Sequence, residues 1–349
     1  MRRHSIAVVA LAVTLAALFF GLPSLQAQPR ASLDAPAHHL KHGFRNLDPG
    51  YSYPMLTRAV RLVRRGFEHW PQRGKPPVLV ANNGAELRAN GQAPTVTWVG
   101  HSTLLVQLHG VNILTDPIWS ERASPVSFAG PRRLVPPGLK FEELPKIHAV
   151  VISHDHYDHL DLPTVQHLAR EHDPTFFVPL GLKAWLAERG VTNVVELDWW
   201  QAQQFRGLTF VCTPAQHSSG RGFNDQNLRL WSSWVVTAPD HRFFFAGDTG
   251  YVPSLREIGR RYGPFDMAAI PIGGYSAYDG HHPNHVNPEE ALQLLEDVGG
   301  RLMVPIHWGT FELNREPFRE PPDRLLTEAL RRGVEEHVAM LTPGQSIHW

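Results

Sequence analysis

The sequence predicts an α/β fold of the αββα type, with two mixed β-sheets packed face to face and helices outside. Three observations predict it. Strand-like runs come first, then strand–helix units, then strands again, then strand–helix units, an order that suits two layered sheets. Several runs alternate apolar and polar residues or are short and β-branched, as half-buried and buried strands are. Side chains suited to a metal ion recur directly after the strand runs.

The first residues stand apart from this pattern. Arg2 and Arg3 precede an apolar run over 6–22, and Pro23, Ser24 and Ala27 follow, so residues 1–27 are expected to be a secretory signal peptide or an N-terminal membrane anchor. Either places the rest of the chain outside the cytoplasm, in the periplasm or cell envelope. Residues 28–79 form an N-terminal extension, polar and Pro-rich. Within it, Leu56, Val60, Val63 and Phe67 recur at helical spacing with arginines between them. Such a basic amphipathic helix over 54–70 docks on the domain by its apolar stripe, or lies peripherally on a membrane surface.

The catalytic domain is expected over 80–349. Residues 95–99 and 104–108 alternate as strands, His109-Gly110 turns the chain, and 111–114 begins a third strand that Asp116-Pro117 ends. Residues 149–152 are a short β-branched strand. Pro163 opens a helix through Arg170, where its fixed φ suits a first turn. A strand at 176–178 precedes a helix at 182–189 that Gly190 stops. Strands follow at 208–212, 232–237, 242–245 and 268–272, then a helix at 288–296, a strand at 302–305 and a helix at 325–332.

Composition narrows the function. The 349 residues balance 33 Lys and Arg against 33 Asp and Glu, so no charge excess points to nucleic acid. The single cysteine, Cys212, excludes an internal disulfide and an all-thiolate metal site. The 21 histidines are the anomaly, because neutral imidazole is the commonest metal ligand.

Those histidines cluster. Ser153-His154-Asp155-His156-Tyr157-Asp158-His159-Leu160-Asp161 follows the 149–152 strand directly. His154 and His156 are two apart, so an extended segment points both to one side. Asp158 and His159 come where the chain turns and can face a second ion. Zinc takes such nitrogen and oxygen ligands at about 2.0–2.2 Å. His217 follows the 208–212 strand, Asp248 follows 242–245 within Ala246-Gly247-Asp248-Thr249-Gly250, and His307 follows 302–305.

The pattern His-x-His-x-Asp-His, then a lone His, a Gly-Asp-Thr aspartate and a late His, resembles the metallo-β-lactamase superfamily over residues of about 80–349. Further stretches resemble the N-acylphosphatidylethanolamine-hydrolysing phospholipase D branch and its bacterial relatives. They are Trp98-Val99-Gly100-His101-Ser102, Leu114-Thr115-Asp116-Pro117-Ile118, Arg122-Ala123-Ser124-Pro125, Gly263-Pro264-Phe265-Asp266 and His285-Val286-Asn287-Pro288-Glu289-Glu290. The resemblance implies the metallo-β-lactamase fold and two Zn2+ ions, with iron or manganese as alternatives on the same ligands. It assigns His154, His156 and His217 to one ion, Asp158, His159 and His307 to the other, and Asp248 to both. It places Tyr157 and His285 against the substrate phosphate region. Asp116 is either a carboxylate that orients a ligand from behind or a turn residue before Pro117.

The implied chemistry is hydrolysis of a phospholipid or other phosphodiester by a water that two ions acidify, with Asp158, Asp248 and His285 as the catalytic side chains. The alternatives are a lactonase or β-lactam hydrolase on the same site, a di-iron oxidoreductase, and a non-catalytic envelope metal-binding protein. A lipid substrate predicts an apolar groove, for which Trp119, Phe128, Trp199, Trp200 and Tyr275 are candidates.

Overall fold

The computed structural model describes residues 36–48, 76–275, 283–313 and 316–349. The apolar run over 6–22 and the 54–70 segment lie outside the described residues. After a short helix α1 (Ala85–Ala89), strands β1 (Thr95–Gly100), β2 (Thr103–Leu108) and β3 (Val111–Thr115) form an antiparallel meander. Then β4 (Ala149–Val151), α2 (Leu162–Glu171), β5 (Thr175–Pro179), α3 (Leu182–Ala187) and β6 (Val194–Leu197) alternate, and the strands extend the sheet in parallel.

The chain next builds the second sheet. Strands β7 (Ala202–Phe205), β8 (Leu208–Thr213), β9 (Ser233–Thr237) and β10 (Arg242–Phe245) pair antiparallel. Helix α4 (Arg256–Tyr262), β11 (Phe265–Pro271), α5 (Pro288–Val298) and β12 (Gly300–Ile306) then complete it with parallel pairs. Helix α6 (Glu320–Arg332) packs beside α5, and β13 (Ser346–His348) returns to the first sheet. The sheet orders are β13-β1-β2-β3-β4-β5-β6 and β12-β11-β10-β9-β8-β7. This is the predicted αββα sandwich.

Side-chain alternation makes the layers. Leu104, Val106, Ile113, Val151 and Phe177 join the cluster between the sheets, while Leu105, Leu114, Val150, Phe176 and Val178 join the one under α2 and α3. Successive strand residues point to opposite faces, so a strand covered on both sides reads as continuously apolar. Phe177 of the first sheet stacks on Phe210 of the second, with ring centroids 4.1 Å apart and planes 3° apart.

Helix α5 begins where capping chemistry dictates. The Asn287 side chain accepts the Glu290 N–H at 2.8 Å, and the Glu290 carboxylate accepts the Asn287 N–H at 3.0 Å. Pro288 takes the first turn, and Gly299 in the left-handed region (φ 71°) ends the helix. Helix α6 starts at Glu320, earlier than the 325–332 expectation, because Pro321 and Pro322 sit in its first turn. There their missing N–H groups cost no helical bond.

Elements β6, β7, β13, α1 and α4 had no sequence counterpart in the expectation. Strand β7 is an edge strand exposed along most of its length, and α4 buries one side chain fully, Ile258, so neither carries an apolar period. Residues 36–48 of the extension pack on the domain: Phe44 is buried in the core between the sheets, and its N–H donates to the Asn227 carbonyl at 2.8 Å.

Candidate metal centre

Strands β3, β4, β8, β10 and β12 all run toward one edge of the sandwich, and the residues that follow them meet there. Carboxyl ends of strands are where open α/β sheets present ligands. Asp116 follows β3, 154–159 follows β4, His217 follows β8, Asp248 follows β10 and His307 ends the run after β12. Gly247 makes the β10 turn possible: its φ is 59°, and a Cβ there would lie 2.5 Å from the Ser153 Cβ.

Two of the groups of ligand atoms concern the expected centre. His154, His156 and His217 are one, and His159, Asp158, His307 and His101 the other. In the first, His154 Nε2 is 2.8 Å from His156 Nδ1, and His217 Nε2 is 3.3 Å from that same Nδ1. In the second, Asp158 Oδ2 lies 3.3 Å from His159 Nε2 and 3.4 Å from His307 Nε2. Asp248 stands between the groups: its Oδ2 is 3.1 Å from His159 Nε2, 3.2 Å from His307 Nε2 and 3.8 Å from His217 Nε2. His285 comes next to them, with Nδ1 3.8 Å from the same oxygen.

The far side of three of these rings is fixed. His159 Nδ1 pairs with Asp116 Oδ2 at 2.7 Å, and His217 Nδ1 donates to the Asn284 carbonyl at 2.9 Å. His154 Nδ1 pairs with Ser153 Oγ at 2.9 Å, and Ser153 Oγ donates to Asp116 Oδ2 at 2.5 Å. Asp116 therefore orients His159 from behind and also receives the Ser153 N–H at 2.7 Å. Such partners choose which ring nitrogen faces a metal.

The donor set fits metal ions. His159 Nε2, His307 Nε2 and Asp248 Oδ1 are buried and make no aligned hydrogen bond. Unpaired buried polar atoms are costly unless a ligand takes them up. Burial pushes the His217 imidazole down to about 3, and burial with neighbouring imidazoles pushes His154 well below its ordinary value. Neutral rings keep a lone pair for a cation. Burial opposes the charged forms of Asp158 and Asp248 too, yet the facing imidazoles hold both carboxyls well below the usual range. In turn those carboxylates outweigh the burial of His307 and lift it to about 9.

Asp155 points away from its neighbours, as the period of two requires. It is fully buried and paired with Arg229, and it accepts the Gly220 N–H at 2.7 Å. Tyr157 is tied elsewhere: its hydroxyl donates to the Arg221 carbonyl at 2.9 Å, with the Arg221 guanidinium 4.0 Å above its ring.

Sequence reasoning missed His101. A bulge between Trp98 and Gly100 ends β1 and leaves His101 at φ 53°, with its ring turned inward. His101 Nε2 lies 3.0 Å from Asp158 Oδ2, and its carbonyl accepts the His307 N–H at 3.1 Å. Its sequence signals are a histidine directly after a strand and its place in the Trp98-Val99-Gly100-His101-Ser102 stretch, neither of which marks it as a ligand.

None of the five aromatics expected to line a groove is among the walls of the cavity that adjoins His307. Trp199 is buried between the sheets and donates to the Trp231 carbonyl at 2.7 Å. Trp119 packs edge-on against Phe141, Trp200 stacks on Tyr262, and Phe128 is 81% exposed. Each is used by local packing or left to solvent. Tyr275 follows Gly274, which abuts the His285 ring, and its hydroxyl donates to Glu320 at 2.9 Å. The cavity is small, ≈ 30 Å³, and adjoins His101 and His307, with Trp308, Phe311, Leu313, Phe318 and Glu316 among its walls.

Buried histidines and carboxylates at the strand ends of an αββα sandwich make a candidate metal centre, and relatives of this chain are metal-dependent hydrolases. The model of the beta-lactamase superfamily domain matches residues 111–308. An uncharacterized protein of Mycobacterium tuberculosis is 43% identical over 326 residues, 91% of this chain and 86% of that protein. The N-acyl-phosphatidylethanolamine-hydrolyzing phospholipase D 1 of Caenorhabditis elegans is 42% identical over 289 residues, 78% of this chain and 81% of that one. The solved isothiocyanate hydrolase from Delia radicum gut bacteria shares the fold, with TM-score 0.60 and 23% identity over 73% of this chain and 99% of that one. The chain belongs to the beta-lactamase superfamily, in the branch that includes the N-acyl-phosphatidylethanolamine-hydrolyzing phospholipase D.

Proposed function

We propose that this hydrolase is a dinuclear zinc phosphodiesterase of phospholipase D type, acting on N-acylphosphatidylethanolamine-like lipids. The observation that carries the metal reading is the place of Asp248, one carboxylate oxygen of which lies within 3.1–3.8 Å of imidazole nitrogens from both ligand groups. His154, His156 and His217 would hold one ion, Asp158, His159 and His307 the other, and Asp248 both. Bound there, a zinc pair supplies Lewis acidity and a water acidified toward neutrality.

The chain's own groups do the rest. Asp158 and Asp248 return two negative charges, which leaves the centre cationic and suited to an anionic phosphodiester. His285 is 15% exposed at the side chain, beside Asp248, where it can donate a proton to the leaving alkoxide or a hydrogen bond to a phosphate oxygen. The identity to the worm phospholipase D supports the substrate class. The arginine-led apolar run near the start supports export to the periplasm or envelope.

Metal-replete protein incubated separately with N-acylphosphatidylethanolamine, a lactone and a β-lactam tests the reading by product analysis. Release of N-acylethanolamine and phosphatidic acid is expected. Turnover of the lactone or the β-lactam alone would transfer the assignment to those chemistries. Elemental analysis of purified protein is expected to find two zinc ions per chain, and iron or manganese would replace zinc in the proposal.

A further inference from the structure

We infer that Asn46, carried by the 36–48 segment outside the matched superfamily domain, is a positioning residue that sets the backbone of His217 for metal binding.

The segment is strapped across the end of the sandwich at several points. His38 Nε2 and His39 Nε2 each pair with one oxygen of the Asp198 carboxylate, at 2.7 and 2.8 Å. The His38 ring stacks on Trp199 with centroids 4.2 Å apart, and Phe44 enters the core. At the far end of this strap Asn46 meets the site. Its Nδ2 donates to the His217 carbonyl at 2.8 Å, and its Oδ1 accepts the His217 N–H at 3.1 Å. The same Oδ1 accepts Trp231 Nε1–H at 3.0 Å, which fixes the orientation of the amide. One residue before His217, Gln216 donates to the Asp48 carbonyl at 3.1 Å.

Both polar groups of the His217 backbone are thus held by one side chain. Its ring is held separately through Nδ1 by Asn284. Among the described residues, residue 217 sits in a loop after β8 and pairs in neither sheet, so Asn46 supplies what a neighbouring strand would. Only an amide fits: it donates and accepts at once, in the spacing of a backbone pair. The consequence is selective. Among the described residues Asn46 hydrogen-bonds to one histidine of the His154–His156–His217 group and to none of the other group, so its loss should weaken one ion and spare its neighbour. Outer partners of this kind typically change metal affinity by about 10–100-fold.

The inference rests on the reading of His217 as a ligand, and the test separates the two. Full-length wild type, Asn46→Ala and His217→Ala are titrated with Zn2+ against a chromophoric chelator, and the melting of each metal-free protein is recorded. Asn46→Ala is expected to hold one of two ions about 10–100-fold more weakly, with the other ion unchanged and both sites filled at excess Zn2+. Two unchanged affinities, or equal loss at both sites in step with a lower melting temperature, would overturn the positioning role. If His217→Ala also keeps both sites intact, the ligand reading fails as well. Should Asn46→Ala not fold, Asn46→Asp serves the same test, because it keeps the acceptor and turns an oxygen toward the His217 carbonyl. The same one-site loss is expected there, and its absence overturns the role.

Discussion

Asp116 Oδ2 lies 2.7 Å from His159 Nδ1, with both side chains fully buried, so a carboxylate at the end of β3 decides which nitrogen of His159 faces the centre. Asp116→Asn keeps the volume and removes the charge-assisted bond. Metal affinity is expected to fall about 10–100-fold while the fold persists. Competition titration beside circular dichroism checks it; unchanged affinity would leave Asp116 as a turn residue only.

Asp248 and His156 reach the cluster from different sheets. Asp248→Ala removes the oxygen that approaches both ligand groups, and His156→Ala removes one corner of the first. Each variant is expected to lose turnover and bound metal together. Full metal content at full rate in either would remove that residue from the ligand set.

Acid should loosen the 219–229 loop through Asp225. Burial raises its carboxyl, but the Gly222 N–H and Arg229 outweigh this and hold it below the ordinary range. The unfolded chain therefore takes up the proton first as pH falls. The contribution to stability is complete above about 4 and is lost as pH drops through the lower folded value. Asp225→Asn should be less stable at neutral pH and show a shallower loss between about pH 4 and lower. Urea denaturation across that range measures it, and parallel curves for the two proteins would refute it.

Phe177 joins the two sheets by stacking on Phe210. Phe177→Ala is expected to destabilise the chain by about 3–5 kcal/mol through lost transfer energy and the cavity left behind. Chemical denaturation reads this directly. A loss under about 1 kcal/mol would mean that the inner core refills the space.

Much of the fold was legible because each segment's pattern records what that segment buries. The apolar runs at β4 and over 302–306 in β12 and the Asn287–Glu290 cap name their own structures. The polar edge strand β7 and the seven-residue α4 carry no such record, since solvent rather than core meets most of their side chains. Trp199 shows the opposite error. A tryptophan near the end of a strand suits a groove and a core equally, and only the second sheet behind it decides for the core.

The sequence by itself determined the layered sheets, the His-x-His-x-Asp-His loop and the later residues at strand ends, because these are properties of short segments with a fixed period. Tertiary structure alone decided that His101 turns onto Asp158 from 57 residues away, and that Asn46 grips His217 from 171 residues away. Hydrogen bonds of that reach leave no periodic trace in either partner. They exist only once the two sheets have closed and brought unrelated loops to one edge.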